Sequence, residues 1–375
     1  MLDADLYRRL AVTPGNLFFS PYSIAAALSM VHAGAAGKTK EEFTKVLGSV
    51  DYGVLGKELA RRSELTPTQK NHLQYMPEAT PDAFGCHLTV ANALWRQKGY
   101  PVRAEYVDAL KTGRGAEIGE ADFQGAKAQA VRAINDWAAK ATRDKIKNVL
   151  SEQQVDDKTR VILANAIYFK ARWEDEFSEY GTEPRPFTLA DGKKVSVPTM
   201  RSLGWRETAR DGKLAALKLP YSGDKLAMLI LLPDVGAMAQ VEKDLEDGQL
   251  ERLLGGMKSN QTEVSLPKFK IESAFQLKTA LQSLGLSGAF SSSADFSGIS
   301  AEPGFALSEV LHKTFVDVNE KGTEAAAVTV PMAAGSAPPK KNVEFKADRP
   351  FLFVIRDLPT ETTLFMGRVA DPRGP

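Results

Sequence analysis

Apolar side chains recur at helical spacing from Leu2 to Val12, and the turn residues Pro14 and Gly15 end the pattern. Ser20 followed by Pro21 marks a second helix start. A serine hydroxyl accepts from free N–H groups there, and proline suits the first helical position. This helix continues through SIAAALSMVHAG and ends at Gly34. Thr39 and Glu42 have the spacing of a capping box ahead of a short helix. Ala126 to Ala141 is amphipathic, while residues 64–84, rich in Thr, Pro, Gln and Asn, read as loop. Beyond residue 160 the pattern changes. RVILANAIYFKA (160–171) is β-branched and aromatic, and LAALKLPY and KLAMLILLP flank Ser222, Gly223 and Asp224 as a hairpin. VSLPKFKI (264–271), EVLHKTFVDVN (309–319), VEFKA (343–347) and FLFVIRD (351–357) each read as a strand. No internal repeat is visible and no linker divides the chain. Helices first, then mostly antiparallel strands, predict an α+β fold in one domain over residues 1–375.

Composition narrows the chemistry. The chain is 43% hydrophobic and 25% charged, and 48 basic against 47 acidic residues leave a net charge of +1. Such a balance points to neither nucleic acid nor a membrane surface as partner. The single cysteine, Cys86, excludes an internal disulfide framework. The four histidines, His32, His72, His87 and His312, come with no CxxC pair and no HExxH helix, so neither a zinc site nor another cofactor is expected. The apolar run at 226–232 is far shorter than the roughly 20 residues of a membrane-spanning helix. MLDADLYRRLAV has charges throughout and no apolar secretory core, which leaves the compartment open between an intracellular protein and a trimmed secreted one. Enzyme signatures are missing as well. GLSG at 285–288 is not a nucleophile elbow, no Gly-rich phosphate loop follows a strand, and the carboxylates are dispersed. An enzyme is not expected.

One segment fits neither a loop nor a core strand. KGTEAAAVTVPMAAGSAPPKK (321–341) is first nearly all small side chains, then proline and glycine, and FLFVI follows ten residues later. Its neighbours carry a family resemblance. NLFFSPYSIAAALSMVHAGA (16–35), INDWAAKATRDKI (134–146), LANAIYFKARWEDEF (163–177), LPKFKI (266–271), LHKTFVDVNEKGTEAAA (311–327) and ADRPFLFVIRD with LFMGRVADP (347–372) resemble the serpins in order and spacing. The resemblance implies about nine helices and three mostly antiparallel β-sheets, with an exposed reactive loop. It also implies a metastable inhibitor of serine proteases, or of cysteine proteases as a second class. The target cuts the loop, which inserts into the main sheet as a new central strand and traps the protease as an acyl-enzyme. By the same resemblance the protein is expected to be extracellular and monomeric, with loop–sheet polymers forming on heating.

Residues 320–341 are then the hinge and reactive loop. The hinge comprises Glu320, Gly322, Thr323, Ala325, Ala326 and Ala327; glycine bends freely and the alanines slip between strands. If Thr323 faces inward, so do Ala325, Ala327, Thr329 and Pro331, and Glu324 faces outward. Pro331 departs from the pattern, because proline lacks the N–H a central strand needs, and it favours a rival reading. In that reading the protein has the serpin fold but is a carrier, chaperone or protease substrate. The resemblance implies a usual loop length, and counting by it from the hinge or back from the strand VEFKA places the reactive bond at Ser336–Ala337, with Ala333, Ala334 and Gly335 before it. These small residues suit an elastase-like or subtilisin-like protease; a cut after Met332 would suit a chymotrypsin-like one. Ser20, Ser23, Asn165 and His312 match the shutter beneath the main sheet, and Trp173, Lys268 and Glu320 match the breach where the loop enters. Residues 64–84, where some serpins bind glycosaminoglycans, hold only Lys70 and His72 as basic groups, so that activity is not expected.

Overall fold

A computed structural model describes residues 2–62, 87–114, 116–243, 248–302, 304–323 and 342–374. Helices α1 (Leu2–Leu10), α2 (Pro21–His32), α3 (Gly37–Leu47) and α4 (Tyr52–Arg62) fill the first part, with a short strand β1 (Leu17–Phe19) between the first two. β2 (His87–Gln97), α5 (Ala104–Arg114), β3 (Glu117–Ala121) and α6 (Lys127–Ala141) follow, and β4 (Val161–Arg172) closes this half. Next come β5 (Glu183–Thr188), β6 (Lys194–Asp211), β7 (Leu214–Pro220), β8 (Leu226–Pro233), α7 (Met238–Lys243) and α8 (Gln249–Gly255). The chain ends with β9 (Lys258–Pro267), β10 (Phe269–Gln276), α9 (Lys278–Ser283), β11 (Glu309–Asn319), the two-residue β12 (Gly322–Thr323), β13 (Val343–Lys346), β14 (Phe351–Asp357) and β15 (Thr362–Val369). Nine α-helices thus lie among the described residues, none long and apolar enough to cross a membrane.

α2 starts where its residues dictate. Ser20 is the N-cap, its Oγ accepts from Ser23 N at 3.0 Å, and Pro21 takes the first helical position. The helix is apolar nearly all round because it is buried all round: Ile24, Ala27, Leu28 and Val31 are fully enclosed between β15 and the β2–β4 face.

Two hydrogen-bonded sheets face each other. The main sheet has the order β10-β11-β12-β4-β2-β3. β4 and β11 also pair directly and in parallel, from Ile162↔Glu309 to Tyr168↔Phe315. The second sheet runs β1-β15-β14-β8-β7-β6-β9-β13, with β5 on β6. Three sheets were expected; the 18-residue β6 pairs with β5, β7 and β9 and so joins two of them into this one continuous sheet.

Three local expectations need correction. Thr39 does not cap α3, which begins at Gly37 behind the N-cap Ala36; its Oγ1 accepts instead from Asp295 N at 2.9 Å. VSLPKFKI is not one strand. β9 ends at Pro267, β10 starts at Phe269, and Lys268 N donates to Pro198 O at the corner, so the two halves lie in different sheets. Strands also occur in the first third of the chain, where β2 forms an antiparallel ladder with β4 from Arg96↔Val161 to His87↔Lys170.

Candidate functional site

At the top of the main sheet β11 turns back on itself and enters the gap beside β4. Lys321 N donates to the Asn319 side chain at 3.0 Å, which tightens the turn. β12 then lies antiparallel between both neighbours: Gly322 opposite Arg172 and Asn319, Thr323 opposite Ala171 and Val318. Only glycine fits at 322. Its φ is +149°, and a Cβ there would lie 2.0 Å from Ala171 O. Thr323 is fully buried, and its Oγ1 shares a 2.8 Å hydrogen bond with Tyr221 OH. Thr323 therefore faces inward, the condition from which the alternation along the loop was argued.

Aromatic rings and charges hold this turn. Trp173 N donates to Lys321 O at 2.9 Å, Trp173 Nε1 to Asn319 O at 3.0 Å, and Phe177 N to Glu320 O at 2.8 Å. Trp173 stacks on Tyr221 with centroids 4.7 Å apart, and Phe169 meets Tyr221 edge-on. Lys268 Nζ lies 2.9 Å from Glu320 Oε2, and Thr182 Oγ1 donates to Glu320 Oε1 at 2.8 Å. Burial pushes the Glu320 carboxyl up, but the bonds from Lys268, its own backbone and Thr182 bring it below the usual carboxylate range. Lys321 reaches Glu179 at 3.2 Å.

Lower in the same seam a polar row crosses three strands and ends at an aromatic ring on a fourth. Asn92 on β2 lies opposite Asn165 on β4, which lies opposite His312 on β11, which lies opposite Phe275 on β10. His312 Nε2 accepts from Ser20 N at 3.0 Å. Nδ1 therefore carries the ring proton and donates to Asn165 Oδ1. Asn165 Nδ2 donates to Asn92 Oδ1 at 2.6 Å and to Ser23 Oγ. Ser20 Oγ donates to Leu364 O and accepts from Ser23 N. Full burial pushes the His312 imidazolium down to about pKa 3, so the ring is neutral at physiological pH.

The structure thus brings Ser20, Ser23, Asn165 and His312 into one network, and Trp173, Lys268, Glu320, Gly322 and Thr323 into another. Ala325, Ala326 and Ala327 lie outside the described residues, as do Pro331 and the Ser336–Ala337 bond. Sequence reasoning missed Asn92, Tyr221 and Thr182. Asn92 had a signal, an amide in the middle of the apolar run LTVANALW. Tyr221 and Thr182 had none, since each is brought to the hinge by pairing between distant strands.

Comparison with known proteins agrees with this architecture. The family model described as serpin (serine protease inhibitor) matches residues 2–372. An uncharacterized serpin-like protein of Thermococcus kodakarensis is 39% identical over 371 residues, covering 98% of this chain and 84% of that protein. Serpin B3 of Homo sapiens is 34% identical, covering 98% and 97%. The crystal structure of human thyroxine-binding globulin complexed with thyroxine superposes with a TM-score of 0.83 at 28% identity, over 99% of this chain and 96% of that chain. With a family match over nearly its whole length and a fold shared with solved members, the chain belongs to the serpin family.

Proposed function

We propose that this serpin inhibits a serine protease as a suicide substrate, with loop cleavage at Ser336–Ala337 followed by insertion between β4 and β11. The observation that carries the reading is the seating of Gly322 and Thr323 as a strand between those two neighbours, with Thr323 turned inward. A segment that continues in this register becomes a central strand. Glu320, Gly322, Thr323, Ala325, Ala326 and Ala327 act as hinge in this reading. Trp173, Lys268 and Glu320 hold the point of entry, and Ser20, Ser23, Asn165 and His312 keep β4 and β11 together until the loop passes. The small residues before the cut direct it to an elastase-like or subtilisin-like protease.

The test is to mix the protein with pancreatic elastase or subtilisin and run a denaturing gel. A stable band at the summed mass is expected; cleavage with full protease activity remaining would sink the reading. A second reading, a serpin-fold carrier, has an observation of its own. A cavity of about 270 Å³ lies between α1, α8 and the second sheet, lined by Leu214, Leu231, Val354 and Met366 with the buried Arg356 beside them. Cleavage without trapping in the same gel favours this reading.

A further inference from the structure

We propose that β5, β6, β9 and β13 enclose a binding site for a small carboxylate with a short apolar chain. β5 pairs with the start of β6, β9 with the rest of it, and β13 with β9. Yet Thr188 N, at the end of β5, donates at 2.8 Å to Asp348 O, two residues beyond the end of β13. The path β5-β6-β9-β13 therefore curls until its two ends meet. The hollow inside the curl has a volume of about 180 Å³. Register puts Arg185 and Phe187 on β5, Val197 and Thr199 on β6, Ser265 on β9 and Lys346 on β13 on one face, and all six line the hollow. Val264, Leu266 and Phe345, on the other face, are buried in the core.

Ser265 is the reason to expect a ligand. It is 5% exposed, and its Oγ meets no hydrogen-bond partner among the described residues. A buried hydroxyl without a partner is costly, and folded proteins nearly always supply one. The other buried hydroxyl of the hollow is engaged: Thr199 Oγ1 donates to Val197 O at 3.1 Å.

The lining selects the chemistry. Its charged residues are Arg185, Lys346 and Asp348, and Asp348 is bonded by Arg349 at 2.9 Å. Each cation is bonded to a glutamate two residues back on its own strand, Arg185 to Glu183 and Lys346 to Glu344, both at 2.9 Å. Exposed pairs of this kind hold weakly, and both cations keep further N–H groups for a second acceptor. Glu263, on the same face, is taken by Arg201 at 2.6 Å. The rest of the surface is apolar, with Phe187, Val197 and Ala347 all buried. An inorganic anion leaves that surface unused, and a neutral molecule leaves the cations unused. A carboxylate on a short hydrocarbon chain meets both, with its oxygens toward Ser265 Oγ, Arg185 and Lys346 and its chain on Phe187 and Val197. Size sets the limit. The 180 Å³ is room for about six water molecules, below the roughly 300 Å³ at which pockets for drug-sized ligands begin.

The test titrates the intact protein with butyrate, butyramide and inorganic phosphate, by isothermal calorimetry and by thermal melting. Butyrate is expected to bind one site with a millimolar or tighter dissociation constant and to raise the melting temperature as its concentration rises. Butyramide and phosphate are expected to bind at least about tenfold more weakly. Ser265→Val replaces an unpartnered hydroxyl with an apolar group suited to a strand, so it is expected to melt no lower than the original protein. Its affinity for butyrate is expected to fall at least about tenfold. Lys346→Gln, at an exposed position, is expected to weaken butyrate by a similar factor and to leave butyramide unaffected. No butyrate signal at tens of millimolar overturns the proposal. So does equal affinity for butyramide, or binding that Ser265→Val leaves unchanged. If Ser265→Val does not fold, Lys346→Gln decides, and unchanged butyrate affinity in that variant overturns the site.

Discussion

A Cβ at position 322 would come within 2.0 Å of a carbonyl oxygen on β4, and one residue later a fully buried threonine hydroxyl meets Tyr221. The gap at the top of the main sheet therefore selects residues by size and charge. Thr323→Arg would place a charge in this dry site, where no partner for it lies among the described neighbours. We expect that variant to be cut by elastase at the normal rate but to give no stable complex on a denaturing gel; a complex band of ordinary intensity would contradict the inward seating. His312 allows a second test. Its pKa falls from about 6.5 unfolded to about 3 folded, so between those values the unfolded chain binds more protons. Stability from this group is complete above about pH 6.5 and is lost as pH falls toward 3, at about 1.4 kcal/mol per pH unit. In denaturant titrations between pH 6 and pH 4.5, His312→Gln should show a shallower pH dependence than the original protein by about that slope. Identical slopes would mean that His312 takes up its proton without leaving the folded state.

At the scale of elements, the inserting strand raises the question of Pro331. Continuing the register of β12 places residue 331 opposite Leu163 on β4 and Val310 on β11, both fully buried. A proline there removes a ladder bond in the middle of the sheet. Pro331→Ala is expected to lower the number of inhibitor molecules consumed per protease trapped, measured by titrating elastase activity; an unchanged number would show that the sheet accepts proline at this level. The elements themselves differed in how readable they were. β8 and β14 are buried on every residue, and the apolar runs in them marked them, whereas β4 and β11 were marked by β-branched and aromatic residues around buried polar ones. β2 is half-buried along most of its length and its run is interrupted by Asn92, so neither alternation nor continuity was clear. The corner at Lys268 was invisible because Val264, Leu266, Phe269 and Ile271 flank it with no break in the run and only the strand partners on either side differ. Likewise Ser20, Ser23, Asn165 and His312 were recognisable one by one, whereas the hydrogen bonds that join them depend on register across 292 residues of separation.

For the whole molecule, the proposed insertion would exchange one β4–β11 interface for two strand interfaces. Each new ladder bond contributes about 1 kcal/mol net, so a strand of ten or so residues contributes roughly 10 kcal/mol, comparable with the total stability of a domain. The protein nicked in its loop by catalytic protease is therefore expected to melt far above the intact protein, by calorimetry or circular dichroism. A nicked form that melts at the intact temperature would show that the loop stays outside. If the loop inserts as proposed, the described form is one held by its barrier: the β4–β11 pairing from Glu309 to Phe315 must open before anything replaces it.

That opening need not happen all at once. With β12 already lodged between its neighbours, the seam resembles a zip fastener whose slider is parked at the top. Extending the pairing of Thr323 with Ala171 and Val318, residue 326 is the first to meet an existing β4–β11 pair, Tyr168 with Phe315. Three teeth further on, residue 329 arrives between Asn165 and His312 and parts the bond that joins them. The residue at that tooth is Thr329, an even number of steps from the inward-facing Thr323, so in the proposed insertion it brings a hydroxyl to the row where the side-chain hydrogen bond between His312 and Asn165 has just been broken. Unzipping can then proceed tooth by tooth, with each separation compensated before the next begins.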